Sequence, residues 1–401
     1  MAKGKGGFIG QDGLNAPDSP TGVSGSAGDE QVEVSFTAPS DVGGSAITGY
    51  RVQSNDGIGA SGSSSPITVT GLTNDTAYTF NVWAINAFGY SAPSDASSSV
   101  SPTTPRAIVG GGTFTSNPGN LTTIQYVALG TSGNFADFGD LTTASEFCGA
   151  VSSSSRAVFA SSQDGNTNVL AYVTISTTGN ATDFGDAVKN HNGTTRGVSS
   201  STRGLFHSER NPTDSDLIDY ITIATTGNAA TFGNLSVARE GTTGACSSTT
   251  RGVFAGGRSG GTYYDTIDYV TIASTGNATN FGSLAASNLH GAGGLSSGTR
   301  GVFSGGEESP YSSATNRIQY ITIASTGNTT DFGDLSDNRS FTDSTSNKTI
   351  GIIIAGKSST ALNSVDKITI ASTGNATDFG DVSTNNFERG GATSAAHGGL
   401  S

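Results

Sequence analysis

Four histidines, two cysteines and a scatter of aspartates are the residues with which this 401-residue chain could do chemistry, and their spacing withholds most of it. His191, His207, His290 and His397 show no close ligand spacing, so no zinc or copper centre is expected. Gln163, Asp164, Gly165 and Asn166 begin like a calcium loop but lack the later acidic ligands. There is no Gly-x-Ser-x-Gly elbow, no phosphate loop and no zincin helix. A glycosidase needs two carboxylates converging in one pocket. Asp183, Asp331 and Asp378 instead recur at one point of a repeat, which spreads them apart and makes them turn residues. What is left suits recognition: Tyr263, Tyr264 and Tyr311 as aromatic platforms, with Glu307, His207 and Asp216 as polar partners. The expectation is a protein without catalytic residues, cofactor or metal.

The elements that must position these side chains are repetitive. A Phe-Gly pair recurs at Phe138, Phe184, Phe232, Phe281, Phe332 and Phe379, spaced 46 to 51 residues apart. A tyrosine precedes it at Tyr126, Tyr172, Tyr220, Tyr269 and Tyr320, with Lys367 in the last copy. Each copy contains four strand-like pieces: a small Gly-rich one, an RGVF-like one, an Ile-x-Tyr-Ile-Thr-Ile one, and a Thr-Asp-Phe-Gly one after a Thr-Gly-Asn turn. Four short strands per unit of about 40 to 50 residues is the arithmetic of a β-propeller blade. The first copy starts at Arg106 with its second strand, and Ala392 to Ser401 reads as a first strand with nothing after it. A six-bladed ring whose first blade borrows its innermost strand from the C-terminus would leave no open sheet edge.

Closure would also sort the loops. Connections between strands one and two and between three and four share one face, carrying uniform Ser/Thr/Gly/Asn turns. The opposite face carries the variable loops: Gln163 to Asn168, His207 to Asp216, Tyr263 and Tyr264, Glu307 to Tyr311, and Ser336 to Phe341. Binding loops on a rigid frame are expected where composition varies. Cys148 and Cys246 fall in non-neighbouring blades, beyond disulfide reach, and are expected as free thiols. His290 and His397 occupy corresponding first strands, from which both could approach the axis. Arg156, Arg203, Arg251 and Arg300 share one strand position and read as blade architecture. Asn180, Asn277, Asn328 and Asn375 sit in Asn-x-Thr triplets within one repeated turn, where asparagine serves backbone geometry.

Composition narrows the partners. A formal charge of −13 argues against nucleic acid. No window approaches 18 apolar residues, so no membrane insertion is expected. Residues 1–16 are Gly-rich, include Lys3, Lys5 and Phe8, and lack an apolar signal core; they read as an anchoring tail, and the missing export signal makes the Asn-x-Thr triplets incidental. Pro102, Thr103, Thr104 and Pro105 form a short, stiff joint.

Residues 17–104 alternate apolar and polar at Gln31 to Thr37 and Tyr78 to Ile85, the mark of half-buried strands. With its GLTNDTAYTFNV run, this stretch resembles a fibronectin type III domain, which implies a tyrosine-corner role for Tyr78 and a core position for Trp83. Phe36 stands where that family usually has tryptophan. Residues 105–401 resemble kelch repeats: a diglycine ends the second strand at Gly256–Gly257 and Gly305–Gly306, a tyrosine follows in the third, and Phe281 or Phe332 takes the place of the usual fourth-strand tryptophan. The whole chain therefore reads as all-β, a fibronectin type III-like sandwich followed by a six-bladed kelch-like β-propeller. Gly-rich tail, sandwich and uniform blades together resemble virion proteins of tailed phages, especially those of marine cyanobacteria. That resemblance implies a structural or fibre-like component, made in the host cytoplasm and exposed on the particle. Its partners would be other virion proteins and a host surface glycan or protein. The alternatives from the same residues are a kelch-type protein-binding adaptor and a surface-polysaccharide hydrolase.

Overall fold

The computed structural model describes residues 15–114, 117–162, 167–191, 195–207, 214–240, 244–285, 289–308, 313–383 and 387–400. All regular structure among them is β, and the chain divides into two compact units, Met1–Pro105 and Arg106–Ser401.

In the first unit, strands Thr21–Gly28, Gln31–Thr37 and Ile67–Thr70 form one antiparallel sheet. Gly59–Gly62, Gly49–Ser54, Phe80–Asn86 and Gly89–Tyr90, in that order, form the other. Alternation decides which side chains meet between them: Val32, Val34 and Phe36 from one sheet bury against Val52, Phe80 and Val82 from the other. Phe36 packs against Tyr50 with ring centroids 4.8 Å apart and the rings tilted at 53°. Tyr78 is buried and its hydroxyl accepts the Thr73 N–H at 3.0 Å, the expected tyrosine-corner bond. Trp83 corrects the sequence reading. It lies out of phase with buried Phe80, Val82 and Ala84, so the period of two places it half-exposed on the far face, opposite Arg51.

Among the described residues, the second unit contains six antiparallel sheets built on four strands each; the fifth also carries the two-residue strands Leu289–His290 and Glu307–Glu308, and Arg258–Ser259 pairs separately with Thr262–Tyr263. Listed from first to fourth strand, sheet 1 is Phe387–Ser394, Arg106–Phe114, Asn117–Ala128 and Ala136–Ser145. Sheet 2 is Gly149–Ser152, Arg156–Ala160, Thr167–Thr174 and Thr182–His191. Sheet 3 is Arg196–Ser199, Arg203–His207, Leu217–Thr222 and Ala230–Asn234. Sheet 4 is Gly244–Ser247, Arg251–Ala255, Thr266–Thr271 and Thr279–Ser283. Sheet 5 is Gly293–Ser296, Arg300–Ser304, Ser313–Thr322 and Thr330–Arg339. Sheet 6 is Asp343–Ser346, Ile350–Ile354, Ser364–Thr369 and Thr377–Asp381. Sheet 1 joins sequence extremes, with Ser394 paired to Ala107 and Phe387 to Phe114. The closing strand begins earlier than the sequence suggested and stops at Ser394; the residues after it form a turn.

Each interface between consecutive sheets has its own apolar core. Ile108, Ile124 and Phe138 of sheet 1 pack on Phe159, Val173 and Ile175 of sheet 2. The corresponding residues of sheet 6, Ile352, Val365 and Phe379, pack on Val109, Val127 and Leu129 of sheet 1. Covering on both faces explains why the second strands are buried almost continuously instead of alternating.

Three repeated devices join the sheets. In the first, the asparagine of each Gly-Asn turn accepts a backbone N–H from the fourth strand of the preceding sheet. The pairs are Asp140 N–H to Asn180, Asp186 to Asn228, Asn234 to Asn277, Ser283 to Asn328, Asp334 to Asn375, and Asp381 to Asn134, all at 3.0 to 3.1 Å. Asparagine is thus used as an inter-sheet acceptor as well as a turn former. The same docking explains the Phe-Gly glycine: Gly282 has φ +155°, and a Cβ there would lie 2.2 Å from the Gly327 carbonyl oxygen.

The second device uses the recurring arginine. Arg106, Arg156, Arg203, Arg251 and Arg300 lie 4.2 to 4.8 Å over the tyrosine ring of their own sheet. Each also donates to the carbonyl of the isoleucine that follows the third strand of the next sheet, as in Arg251 to Ile323 at 2.7 Å. In sheet 6 both partners change together: Ile350 stands for the arginine and Lys367 for the tyrosine, and Lys367 Nζ instead donates to Ser132 Oγ of sheet 1 at 2.6 Å.

The third device lies on the first strands. They contact one another in the order sheet 1, 2, 3, 4, 5, 6 and back to 1, and every one ends on serine. Ser152 Oγ donates to the Ser394 carbonyl, Ser199 to Ser152, Ser247 to Ser199, Ser296 to Ser247, Ser346 to Ser296, and Ser394 to Ser346, at 2.5 to 3.0 Å. Six hydroxyls thereby satisfy six carbonyls on strand edges that have no ladder partner on that side.

Candidate functional site

Three buried carboxylates not singled out in the sequence hold sheets together. Asp219, Asp268 and Asp366 are buried in third strands and accept backbone N–H groups from the preceding sheet at Val188, Ser236 and Ser336. Gln319 and Gln125 do the same for Ala285 and Ser383. Asp268 and Asp366 also meet the buried guanidinium groups of Arg239 and Arg339 at 3.0 and 3.4 Å. Burial pushes the Asp219 carboxyl up to about 6 against the opposing pull of the Val188 N–H and of Lys189.

Around the axis of the serine cycle lies a narrow cavity of about 40 Å³ lined by Cys148, Thr195, Arg196, Thr342, Asp343 and Ser344. Arg196 of sheet 3 and Asp343 of sheet 6 come from opposite members of the cycle and pair across it at 3.6 Å. Burial raises the Asp343 carboxyl to about 6 against the opposing pull of Arg196. Cys148 is a free, buried thiol raised by burial to about 12, and Cys246 is likewise free, buried and raised. Neither is a nucleophile in this state. At the serine end, His397 reaches inward: Nε2 lies 3.1 Å from Ser199 Oγ and Nδ1 accepts the Gly399 N–H at 3.1 Å. Burial holds that ring neutral down to about 4.

The other end of the cycle carries a cluster of aromatic and charged side chains. The segments at and just before the starts of the first strands are linked by backbone bonds: Thr195 N–H to Phe147 O, Phe147 to Arg389, Arg389 to Phe341, and Phe341 to Gly291. Their residues Phe147, Phe341, Arg389 and Gly291 have φ of +53°, +53°, +65° and +70°. Glycine adopts this region freely, whereas each side-chain-bearing residue costs on the order of 1 kcal/mol or more there. The side chains of the three strained residues meet. The Arg389 guanidinium lies 4.7 Å from the Phe147 ring and 5.0 Å from the Phe341 ring, the two rings being edge-to-face at 5.9 Å. Arg389 pairs with Glu146 at 3.3 Å. Phe341 continues edge-to-face to His290 at 5.4 Å, and His290 to Tyr263 at 6.3 Å. Glu307 pairs with His290 at 3.5 Å. Phe147, Phe341, Arg389, Tyr263 and Glu307 are all half-buried, so the cluster meets solvent.

Of the residues singled out in the sequence, the structure therefore brings Tyr263 and Glu307 together, through His290. Tyr264 is half-buried beside them in the chain, its N–H bonded to the Gly257 carbonyl. His207 is corrected: it is wholly buried, bonds the Ser215 carbonyl through Nε2 and is depressed by burial to about 3, so it is packed inside and presents nothing to a partner. Asp216 is half-buried, and its carbonyl accepts the Leu235 N–H. The two histidines expected at the axis separate: His397 goes there and His290 goes to the aromatic cluster. Tyr311, Lys3, Lys5, Phe8 and the Gln163–Asn166 loop lie outside the described residues. Phe147, Arg389 and Glu146 were missed, because the left-handed backbone that aims them is not written in local residue types. Among the described residues, no group of three His, Cys, Asp or Glu side chains is placed to hold a metal, and no helix is long and apolar enough to cross a membrane.

Comparison with known proteins bears on the first unit. Residues 18–100 match the fibronectin type III domain family, and this segment is a fibronectin type III domain. Among solved structures, the chain is similar to the crystal structure of domains A168-A170 from titin, with 33% identity and a TM-score of 0.21. That match covers 22% of this chain and 32% of the titin chain.

Proposed function

We propose that residues 105–401 form a six-bladed, kelch-like β-propeller and that the protein is a non-enzymatic structural or appendage component of a phage particle, a tail or fibre part. In this reading the Gly-rich tail with Lys3, Lys5 and Phe8, together with the fibronectin type III domain, holds the chain to other virion proteins. The propeller is exposed for contact with a neighbouring subunit or the host surface. The observation that carries the reading is the division of labour between side chains. The repeated ionisable residues of the sheets, Arg156, Asp268, Arg339 and Asp366 among them, are consumed by inter-sheet bonds. Aromatic and charged side chains that reach solvent at strained positions gather instead at one end of the cycle. A rigid frame with one adorned face suits recognition better than catalysis.

Cryo-electron microscopy of intact particles tests this. Density for the tail and sandwich inside a neighbouring virion protein, with the Phe147 and Phe341 end turned outward, is the expected result. Absence of the chain from purified particles would sink the virion reading, and capture of one host protein by the isolated second unit would then support an adaptor.

A further inference from the structure

Resting on that reading, we infer that the solvent-facing cluster of Phe147, Phe341, Tyr263, His290 and Arg389 is a binding site for a neutral, hexose-containing glycan. Three observations converge. The first is that bulky side chains stand at positions whose backbone favours glycine. The equivalent position into sheet 5 is Gly291, which takes the same left-handed conformation freely, yet Phe147, Phe341 and Arg389 hold side chains there. Backbone outliers of this kind collect where side chains must be presented in a fixed place.

The second is shape. Phe147, Phe341, His290 and Tyr263 run as successive edge-to-face neighbours, an aromatic arc in which Phe147, Phe341 and Tyr263 are part-exposed and His290 is buried between Phe341 and Tyr263. Sugar rings present C–H groups that stack on such surfaces while their hydroxyls seek polar neighbours at the rim. The third is charge. Arg389 is already paired with Glu146 and lies 4.0 Å from Glu388, and Glu307 stands beside His290, so an anionic ligand would have to displace a carboxylate already in place. A neutral polyol needs only the remaining lone pairs and N–H groups of the same residues. The net charge of −13 further disfavours anionic sugars.

The test uses the full chain and the variant Phe147→Gly/Phe341→Gly. Both substitutions place glycine where its repeat counterpart already stands, so the sheets are expected to stay folded, checked by an unchanged far-ultraviolet circular dichroism spectrum and a single thermal transition. An array of neutral hexose oligosaccharides, with sialylated and sulfated oligosaccharides as controls, is probed with both proteins, followed by calorimetry on any hit. Wild type should bind neutral hexose oligosaccharides, ignore the anionic set, and lose at least tenfold in affinity in the double variant. Arg389→Lys, which keeps the charge but not the planar stacking between rings, should lose several-fold. Binding by the folded double variant at wild-type affinity would overturn the inference, as would anionic preference or no binding by wild type. Host-derived and unrelated neutral glycans on the same array separate a host receptor from a general hexose preference. Array failure with the chain present on particles refutes the glycan site alone; glycan binding by a chain missing from particles refutes the virion reading alone.

Discussion

Replacing the six serines that end the first strands, one at a time, by alanine tests whether the second unit is a closed cycle. Each substitution removes one buried Oγ–H and leaves a carbonyl of the preceding first strand without its donor. The loss of such a bond, with its acceptor left buried, costs about 1 to 3 kcal/mol. For a unit of this size that corresponds to a fall of roughly 1–2 °C in melting temperature per kcal/mol. Ser247 and Ser296 join sheets that are consecutive in sequence, whereas Ser152 and Ser394 bond across 242 residues of chain. If the cycle is closed, Ser394→Ala should cost as much as Ser247→Ala. Ser152→Ala should cost somewhat more, because its hydroxyl also lies 2.7 Å from Thr393 Oγ1. Differential scanning calorimetry, with the endotherm of the second unit followed separately from that of the sandwich, provides the comparison. Losses at Ser199, Ser247, Ser296 and Ser346 together with none at Ser152 and Ser394 would refute closure through the C-terminal strand.

Acid should weaken the second unit, with a sign fixed by burial. His191, His207 and His397 are held neutral down to about 4, 3 and 4, below the ordinary 6.5, so their contribution is present above pH 6.5 and is lost as pH falls toward 4. Asp219 and Asp343, raised to about 6 from 3.8, act in the opposite sense, since the folded form takes up their protons first. Three protons refused against two accepted leaves a net loss near pH 5 of about 1.4 kcal/mol per pH unit, and His397→Gln should remove most of it. Urea midpoints at pH 7 and pH 5 measure this; an equal drop in wild type and variant would contradict it. Restoring the missing clamp of sheet 6 with Ile350→Arg and Lys367→Tyr should show a favourable coupling of about 0.5–1 kcal/mol in a double-mutant cycle, and zero coupling would remove the cation–π account. Gly282→Ala should destabilise by about 1–3 kcal/mol, because its Cβ meets the Gly327 carbonyl, while Gly119→Ala, with open space around it, should be neutral by chemical denaturation.

The parts of this architecture that are written locally were legible. Alternation at Gln31 to Thr37, and the run around Tyr78, identify the fibronectin type III domain because a half-buried sheet needs that period and a corner needs that tyrosine. The recurring tyrosine and Phe-Gly pair mark third and fourth strands because both rings pack edge-to-face within each sheet, at 5.8 to 6.1 Å in five of them. Trp83 was misplaced by trusting residue type over phase, although its neighbours Val82 and Ala84 already indicated the opposite face. The serine cycle was hidden by abundance: serine is common throughout the chain, and only the register of six distant strands selects the six that matter. The aromatic cluster was hidden for a related reason. Phe147, Phe341, Arg389 and His290 come from four different copies, and what gathers them is a backbone conformation rather than a motif.

The pairing of Phe387–Ser394 with Arg106–Phe114 has a consequence for how the chain comes off the ribosome. Sheets 2 to 6 each receive their four strands in one stretch of synthesis, but sheet 1 waits with three strands until the last is made. During that wait the Arg106–Phe114 edge is a vacant berth of defined register, edged by the glycines Gly110, Gly111 and Gly112. A polypeptide truncated before Phe387 should accept a synthetic peptide of residues 387–400 delivered in trans, or the same strand from a second molecule, by ordinary β-strand addition. Such a pair would be a split system, in which a short tag and a large receptor regain one fold by association.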